Sequence, residues 1–390
     1  MQRELLIKSS RIFTPFEVIR NGVIAVRNGR IAFVGKEDRA PYSTNARVLD
    51  ASDKIVSPGF IDTQIVGARG FDASSGSLEA VREVARFCSE TGTTSFLAAV
   101  GTSLFEKMMQ SIRGVRDAIQ SGTGSSEILG IHLEGPYISP MKKGAHDSKY
   151  IRPPSISELN VILRESANNV ILATVAPEVQ GAIRFIKELR KRGVVVSIGH
   201  SNATYEETLT GIRAGISHAT HVFNGMREFH HREPGVLGAV FTCQNVTASL
   251  IADGIHVHPA AMKMLVKAKG TDGIVLITDS TVAGLPNGTY KLGGLDLVLS
   301  DGVCKLKSGL SLAGSSLAMN IAVRNMIELV GVPIQDALKM ATINPARVIC
   351  VDSRKGSIRI GKDADIIVID EKINVYATLA KGKVVYNVLE

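Results

Sequence analysis

The middle of the chain alternates between short apolar runs and amphipathic helical patterns. Apolar runs of strand length recur at 94–99, 128–133, 170–175, 194–198 and 273–278. Helical patterns lie between them, including Leu78–Glu90, Phe105–Ile119 and Gly181–Arg192. Buried strands that alternate with helices predict a parallel sheet covered by helices. Roughly 290 residues of this alternation favour a (β/α)8 barrel over a doubly wound sheet. No GxGxxG sequence follows the first strand, which also argues against a dinucleotide-binding fold.

Both ends of the chain have the pattern of strands instead. Three short β-rich runs with Asn-Gly turn signals lie in the first 55 residues, and the last 40 residues contain 357–360, 366–369 and 384–386. Two strand-rich ends around a different middle predict a small β-sandwich domain built from both termini. We expect this domain to comprise 1–55 and 351–390, with the barrel at 56–350.

Composition narrows the class of protein. The 390 residues are 45% hydrophobic and carry a formal net charge of +8, which fits either an unspecific basic surface or attraction of an anionic substrate. Aromatic residues are only 5% and the basic residues are dispersed, which argues against nucleic-acid binding. The four cysteines form no CxxC pair, and no apolar run reaches about 18 residues. With no evident signal peptide, we expect a cytoplasmic protein without a membrane segment.

Candidate metal ligands lie at the ends of predicted strands, where barrel active sites are built. Glu134 follows the run 129–133, His200 follows 194–198, and His221 ends a short strand after Gly215. Taken singly, each could instead be a cap, a surface acid or a structural histidine. Together they offer one oxygen and two nitrogen ligands, the set of a catalytic divalent site with an open position for water. His132 and His218 are predicted to be structural.

Asp279 follows directly on the apolar run 274–278. A carboxylate there is costly to bury unless a charge or hydrogen-bond donors accompany it. We interpret Asp279 as the general base and acid beside metal-activated water.

Two loops could bind a phosphate. Asn224-Gly225-Met226 and the loop 229–235, which contains Arg232, combine backbone N–H groups with a guanidinium. His256 is a further candidate anion contact. The alternative interpretation is an exposed flexible loop.

Nine motifs, in order along nearly the whole chain, resemble the N-acetylglucosamine-6-phosphate deacetylase family of the amidohydrolase superfamily. They are Pro58-Gly59-Phe60-Ile61-Asp62, His132-Leu133-Glu134-Gly135-Pro136, Lys143-Gly144-Ala145-His146, Gly199-His200-Ser201, Thr220-His221-Val222-Phe223-Asn224-Gly225-Met226, Arg232-Glu233-Pro234-Gly235, Asp253-Gly254-Ile255-His256, Thr278-Asp279-Ser280 and Leu312-Ala313-Gly314-Ser315.

The resemblance implies a barrel with a small β-sandwich, and hydrolysis of N-acetylglucosamine 6-phosphate to glucosamine 6-phosphate and acetate. It implies Glu134, His200 and His221 as metal ligands and Asp279 as the catalytic carboxylate. It implies that His146 polarises the acetyl carbonyl and that Leu312 lines the acetyl pocket. His256, Asn224, Gly225 and Arg232 would bind the sugar phosphate. Arg232 would reach the neighbouring subunit's site, so a homodimer is expected.

One departure from the superfamily pattern concerns the metal. Many amidohydrolases carry His-x-His after the first strand, where this chain has Gln64-Ile65-Val66. We therefore predict a single divalent ion, with zinc favoured and iron, cobalt and manganese also compatible. The alternative substrate is the galacto epimer, N-acetylgalactosamine 6-phosphate. Another amidohydrolase activity, such as that of dihydroorotase-like enzymes, and an inactive scaffold are less favoured.

Overall fold

A computed structural model describes residues 4–14, 16–40, 46–309 and 311–389. The N-terminal segment forms strands. They are β1 (Leu5–Phe13), β2 (Val18–Arg27), β3 (Arg30–Lys36) and β4 (Arg47–Pro58). β1 pairs antiparallel with β2 and parallel with β4, and β2 pairs with β3.

The barrel follows at once. Its elements, with one short accessory pair (β6 and β7), are β5 (Phe60–Ile65), β6 (Gly67–Ala68), β7 (Phe71–Asp72), α1 (Leu78–Glu90), β8 (Thr93–Gly101), α2 (Phe105–Ser121), β9 (Glu127–Glu134), α3 (Ile156–Glu165), β10 (Val170–Val175), α4 (Ala182–Lys191), β11 (Val195–Ile198), α5 (Tyr205–Ala214), β12 (Ile216–Ala219), α6 (Gly235–Thr242), β13 (Thr247–Ile251), α7 (Pro259–Lys269) and β14 (Ile274–Ile277).

The barrel sheet is parallel and has the order β14-β13-β12-β11-β10-β9-β8-β5. Its two ends meet just beyond the last strand, where Ile65 bridges Ser280 and the amide of Asp279 donates to the Gln64 carbonyl at 2.9 Å. The helices surround the barrel and pack their apolar faces against the outer surface of its sheet. In α1, for example, Val81, Val84 and Cys88 are buried, and Ser77 caps the first turn.

The remaining elements complete the barrel and return to the first sheet. They are β15 (Gly288–Leu292), β16 (Leu295–Ser300), β17 (Val303–Leu306), α8 (Met319–Asn325), α9 (Ile334–Ala341), α10 (Ile343–Val348), β18 (Ile366–Ile369), β19 (Val375–Ala380) and β20 (Lys383–Asn387). β15–β17 form a separate antiparallel sheet. β18 pairs with β4, so strands from both ends form one mixed sheet of order β20-β19-β18-β4-β1-β2-β3.

The predicted fold class, a (β/α)8 barrel with a small β-sandwich domain made from both termini, is confirmed as a barrel of eight parallel strands and a separate mixed sheet built from strands of both termini. The domain bounds 1–55, 351–390 and 56–350 stay a prediction, and residues 1–3, 15, 41–45, 310 and 390 of them lie outside the described residues. In the described part of the chain, no helix combines the length and the apolarity needed to cross a membrane.

The prediction of a strand at 357–360 is wrong, because these residues have no regular secondary structure. The Lys362 ammonium explains the difference. It donates to the carbonyl oxygens of Asp352 and Lys355 and, at 2.6 Å, to the Ser357 hydroxyl. The segment therefore wraps around this cation instead of extending along a neighbouring strand.

Candidate active site

The predicted site residues converge at the carboxyl end of the barrel strands. Glu134 is the last residue of β9. His200, His221 and Asp279 lie two residues after the ends of β11, β12 and β14, respectively. The last three have left-handed backbones, with φ of 47°, 33° and 47°. Such angles are unfavourable for residues other than glycine and are typical of functional sites, where the surrounding structure enforces them. Each strand thus ends in a sharp turn that directs a side chain towards the barrel mouth.

Glu134, His200 and His221 form one buried group, and it is the candidate metal site that the described residues contain. The Nε2 atom of His221 lies 3.0 Å from Oε1 of Glu134 and 3.1 Å from Nε2 of His200. The Nε2 atom of His200 lies 3.4 Å from the same carboxylate oxygen. A tetrahedral ion with bonds of about 2.0–2.1 Å separates its ligands by about 3.3 Å, so the three atoms have the spacing of zinc ligands.

The His200 ring is fixed by its other nitrogen. Nδ1 lies 2.8 Å from the carbonyl oxygen of Lys142, to which it donates a hydrogen bond. When the ring is neutral, Nε2 is then unprotonated and can offer its lone pair to a metal ion, as in many metal-binding histidines. Gly225 packs against this ring, since a Cβ there would lie 2.9 Å from Nδ1. Sequence reasoning missed Lys142, because a backbone carbonyl leaves no signal in residue type.

Charge in the group is set by burial and by the histidines. Burial raises the pKa of Glu134, but hydrogen bonds from His200 and His221 outweigh it and hold the pKa well below its ordinary value. For Asp279, burial first and the neighbouring Glu134 charge second raise the pKa to about 8. The two carboxylates therefore differ in proton affinity, a pattern typical of acid–base sites.

Gln64 links these two carboxylates. Its Nε2 atom lies 2.7 Å from Oε1 of Glu134 and 3.0 Å from Oδ1 of Asp279. In the sequence, Gln64 is notable only because it stands where many amidohydrolases have a histidine. The position on the first strand signalled proximity to the site, but not this pair of contacts.

His146 joins the group from the loop after β9. Its ring packs edge to face on His200, with centroids 4.6 Å apart. The backbone amide of Thr102 donates to its Nδ1 at 3.4 Å, so the imidazole proton lies on Nε2. Burial, followed by the nearby His200, lowers the pKa of His146 to about 3. A neutral ring with a fixed N–H can donate a hydrogen bond to a substrate oxygen.

Only some of the predicted substrate-binding residues lie next to the metal-binding group. Asn224 directly follows the His221 turn, and its backbone amide donates to the His221 carbonyl at 2.9 Å. The Nδ1 atom of His256 lies 2.6 Å from Oδ2 of Asp253.

Arg232 is exposed on the loop before α6, where its guanidinium contacts His231. Leu312 is half-buried and bridges Lys305 of β17. In the described residues, the contacts of Arg232 and Leu312 are thus local to their own segments.

The two histidines predicted to be structural, His132 and His218, are buried and lie within hydrogen-bond distance of threonine hydroxyls. His132 is fully buried, with Nε2 at 2.8 Å from the Thr174 hydroxyl, and His218 contacts the Thr247 hydroxyl at 2.7 Å. Burial lowers the pKa of His132 to about 4 and that of His218 to about 3, so both are neutral.

Fold and site together are those of a metal-dependent hydrolase, and comparison with known proteins agrees. The model of the amidohydrolase family matches residues 55–388, so the chain belongs to the amidohydrolase family. Within that family, several relatives that match nearly the whole chain are amino-sugar-phosphate deacetylases. It is 36% identical to N-acetylglucosamine-6-phosphate deacetylase of Bacillus subtilis (strain 168), over 99% of this chain and 98% of that protein.

Two further comparisons bear on the substrate. The chain is 34% identical to N-acetylgalactosamine-6-phosphate deacetylase of Escherichia coli O157:H7, over 97% of this chain and 98% of that protein. Its fold matches a point mutant of N-acetyl-D-glucosamine-6-phosphate deacetylase from Mycobacterium smegmatis, solved in complex with N-acetyl-D-glucosamine-6-phosphate. The TM-score is 0.92 at 31% identity, and the match covers 99% of this chain and 100% of that one.

Proposed function

We propose that this amidohydrolase removes the acetyl group of N-acetylglucosamine 6-phosphate, giving glucosamine 6-phosphate and acetate. The observation that carries the proposal is the convergence of Glu134, His200 and His221 with Asp279 and His146 at the barrel mouth. Full-length similarity to deacetylases of this substrate supports the choice of sugar.

The donor set fits one divalent ion. Two imidazole nitrogens lie 3.1 Å apart, and both are beside a buried carboxylate. A cation between these three groups would stabilise their close approach and compensate the buried negative charge. Glu134, His200 and His221 would hold the ion, and mixed nitrogen and oxygen donors suit zinc first and iron, cobalt or manganese next. Gln64 and Val66 offer no imidazole for a second ion, which supports a mononuclear site. When bound, such an ion lowers the pKa of water and polarises a carbonyl.

The side chains of this chain supply the remaining steps. Asp279 accepts a proton from the attacking water while the water oxygen forms a bond to the acetyl carbon. The Nε2–H of His146 donates to the carbonyl oxygen as negative charge develops there. Asp279 then returns its proton to the sugar nitrogen, so that the C–N bond breaks and a neutral amine leaves.

We assign the rest of the substrate to the surrounding loops. Asn224, Gly225 and His256 would contact the sugar phosphate, and Leu312 would line the space for the acetyl methyl group. The exposed Arg232 would bind the phosphate in the neighbouring subunit of a homodimer, because its own contacts stay within its loop. The four cysteines are free thiols, which fits a reducing compartment such as the cytoplasm.

Acetate release tests the proposal. The purified protein, with its metal content measured, is given N-acetylglucosamine 6-phosphate, its galacto epimer and unphosphorylated N-acetylglucosamine. We expect the gluco phosphate to give the highest kcat/KM. Preference for the epimer would support the alternative raised by the Escherichia coli relative. No release from any sugar after addition of zinc, iron or manganese would instead indicate another amidohydrolase reaction or an inactive scaffold.

A further inference from the structure

The side-chain amide of Gln64 lies between the two buried carboxylates of the site. It is 1% exposed, and its Nε2 is 2.7 Å from Glu134 and 3.0 Å from Asp279. A primary amide nitrogen carries two hydrogens, so one is available for each carboxylate. The amide orientation follows from these partners, because the opposite one would set its oxygen against two carboxylate oxygens.

The backbone of Gln64 is fixed as firmly as its side chain. Its amide donates to Oδ1 of the buried Asp62 at 3.1 Å, and Asp62 also accepts from the hydroxyl of Thr278. Its carbonyl accepts the amide of Asp279 at 2.9 Å. Gln64 is thus tied to the segment that carries Asp279 through both its backbone and its side chain, and it contacts Glu134 on a third strand.

We propose that Gln64 is a positioning residue for the hydrolysis: its amide holds Asp279 at a fixed place beside the Glu134 metal ligand. This inference rests on the proposed function of the site. Two buried carboxylates repel each other at short range when both are ionised, and a neutral donor of two hydrogen bonds opposes that repulsion without adding charge. One hydrogen bond orients Glu134 as a ligand, and the other orients Asp279 as a base.

Two variants remove these hydrogen bonds in different ways. Gln64→Met keeps a long unbranched side chain but has no donor, while Gln64→Glu keeps the shape and replaces the donor by an acceptor. Thr63→Val is the matched control, because Thr63 is equally buried on the same strand and its hydroxyl has no hydrogen-bond partner. Removing partners that orient metal ligands typically costs about 10–100-fold in affinity or activity.

For both Gln64 variants we expect kcat to fall about 10–100-fold with KM changed less than about threefold. For Gln64→Met, which adds no charge, we also expect the zinc affinity of the metal-depleted protein to fall about tenfold. In an Asp279→Asn background, Gln64→Met should lower kcat by no more than about twofold further, because residues that act as a unit are not additive. Thr63→Val should change neither kcat nor zinc affinity.

Wild-type kcat and zinc affinity in the Gln64→Met protein would overturn the proposal, as would an undiminished effect of Gln64→Met in the Asp279→Asn background. The zinc titration needs no substrate. It therefore tests the contact with Glu134 even if the wild-type protein releases no acetate, an outcome that would contradict only the proposed reaction.

Discussion

The Nδ1 atom of His200 lies 2.8 Å from the carbonyl oxygen of Lys142, and this contact fixes which ring nitrogen faces Glu134 and His221. The loop after β9 thereby fixes the tautomer of the neutral His200 ring, which follows β11. Three side chains become a metal site only because such loop contacts orient them.

Removing one imidazole of the group should abolish metal binding. We expect His200→Ala to be purified with less than about a tenth of the wild-type metal content, since three protein ligands are needed for a stable catalytic site. Elemental analysis measures the content. His258→Asn is the control, because His258 caps α7 and Asn caps equally well. Full metal content in His200→Ala would contradict the ligand assignment.

Replacing the base should separate catalysis from metal binding. Asp279→Asn retains an oxygen that can accept from Gln64, so the metal content should stay unchanged while kcat falls about 10²–10⁴-fold. Asp272→Asn serves as control, since Asp272 precedes the same strand and its side chain is 72% exposed. Wild-type turnover in Asp279→Asn would remove Asp279 from the mechanism.

The N–H of His146 should matter for kcat more than for KM. A single donor to a developing oxyanion is worth about 10²–10³ in kcat. We therefore expect His146→Ala to lose this much in steady-state assays while retaining its metal. A rise in KM with unchanged kcat would mean that His146 only binds the ground-state substrate.

The role of Arg232 in a dimer can be tested by mixing two inactive proteins. In a hybrid of Arg232→Ala and Asp279→Asn subunits, one site receives both an intact Asp279 and the arginine of its partner. Random assembly should restore about a quarter of wild-type activity in a two-fold symmetric dimer. Co-expression with two affinity tags isolates the hybrids, which should have about half of the wild-type activity per dimer. Absence of recovery would mean that Arg232 acts in its own subunit or not at all.

Acid stability should depend on Glu127, far from the metal group. Burial raises the pKa of this residue, but Lys355 and Lys381, each 2.7 Å away, and Arg354 outweigh burial and hold the pKa at about 2. Because the folded pKa is depressed, the stabilisation is complete above about pH 4.5 and is lost as the pH falls towards 2.

Glu127→Gln should therefore lower the free energy of unfolding by up to about 3 kcal/mol at pH 7, and by much less near pH 3. Urea unfolding of the metal-free protein at both pH values measures this difference. Glu165→Gln, which disrupts a surface contact with Arg113, should have little effect at either pH. An equal loss from Glu127→Gln at both pH values would contradict the charge argument.

The sequence predicted the site residues that end apolar strands, because strand ends of a parallel barrel share one face. Glu134, His200, His221 and Asp279 were identified in this way. Lys142 and Thr102 were missed, because they act through backbone atoms and any residue type could supply those contacts. The β15–β17 sheet was missed as well, since its half-exposed strands lack a continuous apolar run.

The pairing of β4 with β18 joins Pro58 to Ile366, so roughly 300 residues must be synthesised between the two partners. At about 5–20 residues per second, β4 waits on the order of 15–60 s for its neighbour. During that interval Ile55 and Val56, both fully buried in the finished protein, lie on an open sheet edge that can pair with other chains. Translation speed and chaperone supply should therefore govern the yield of this protein, and a ribosome that stalls before residue 366 would release an aggregation-prone chain even if its barrel had already folded.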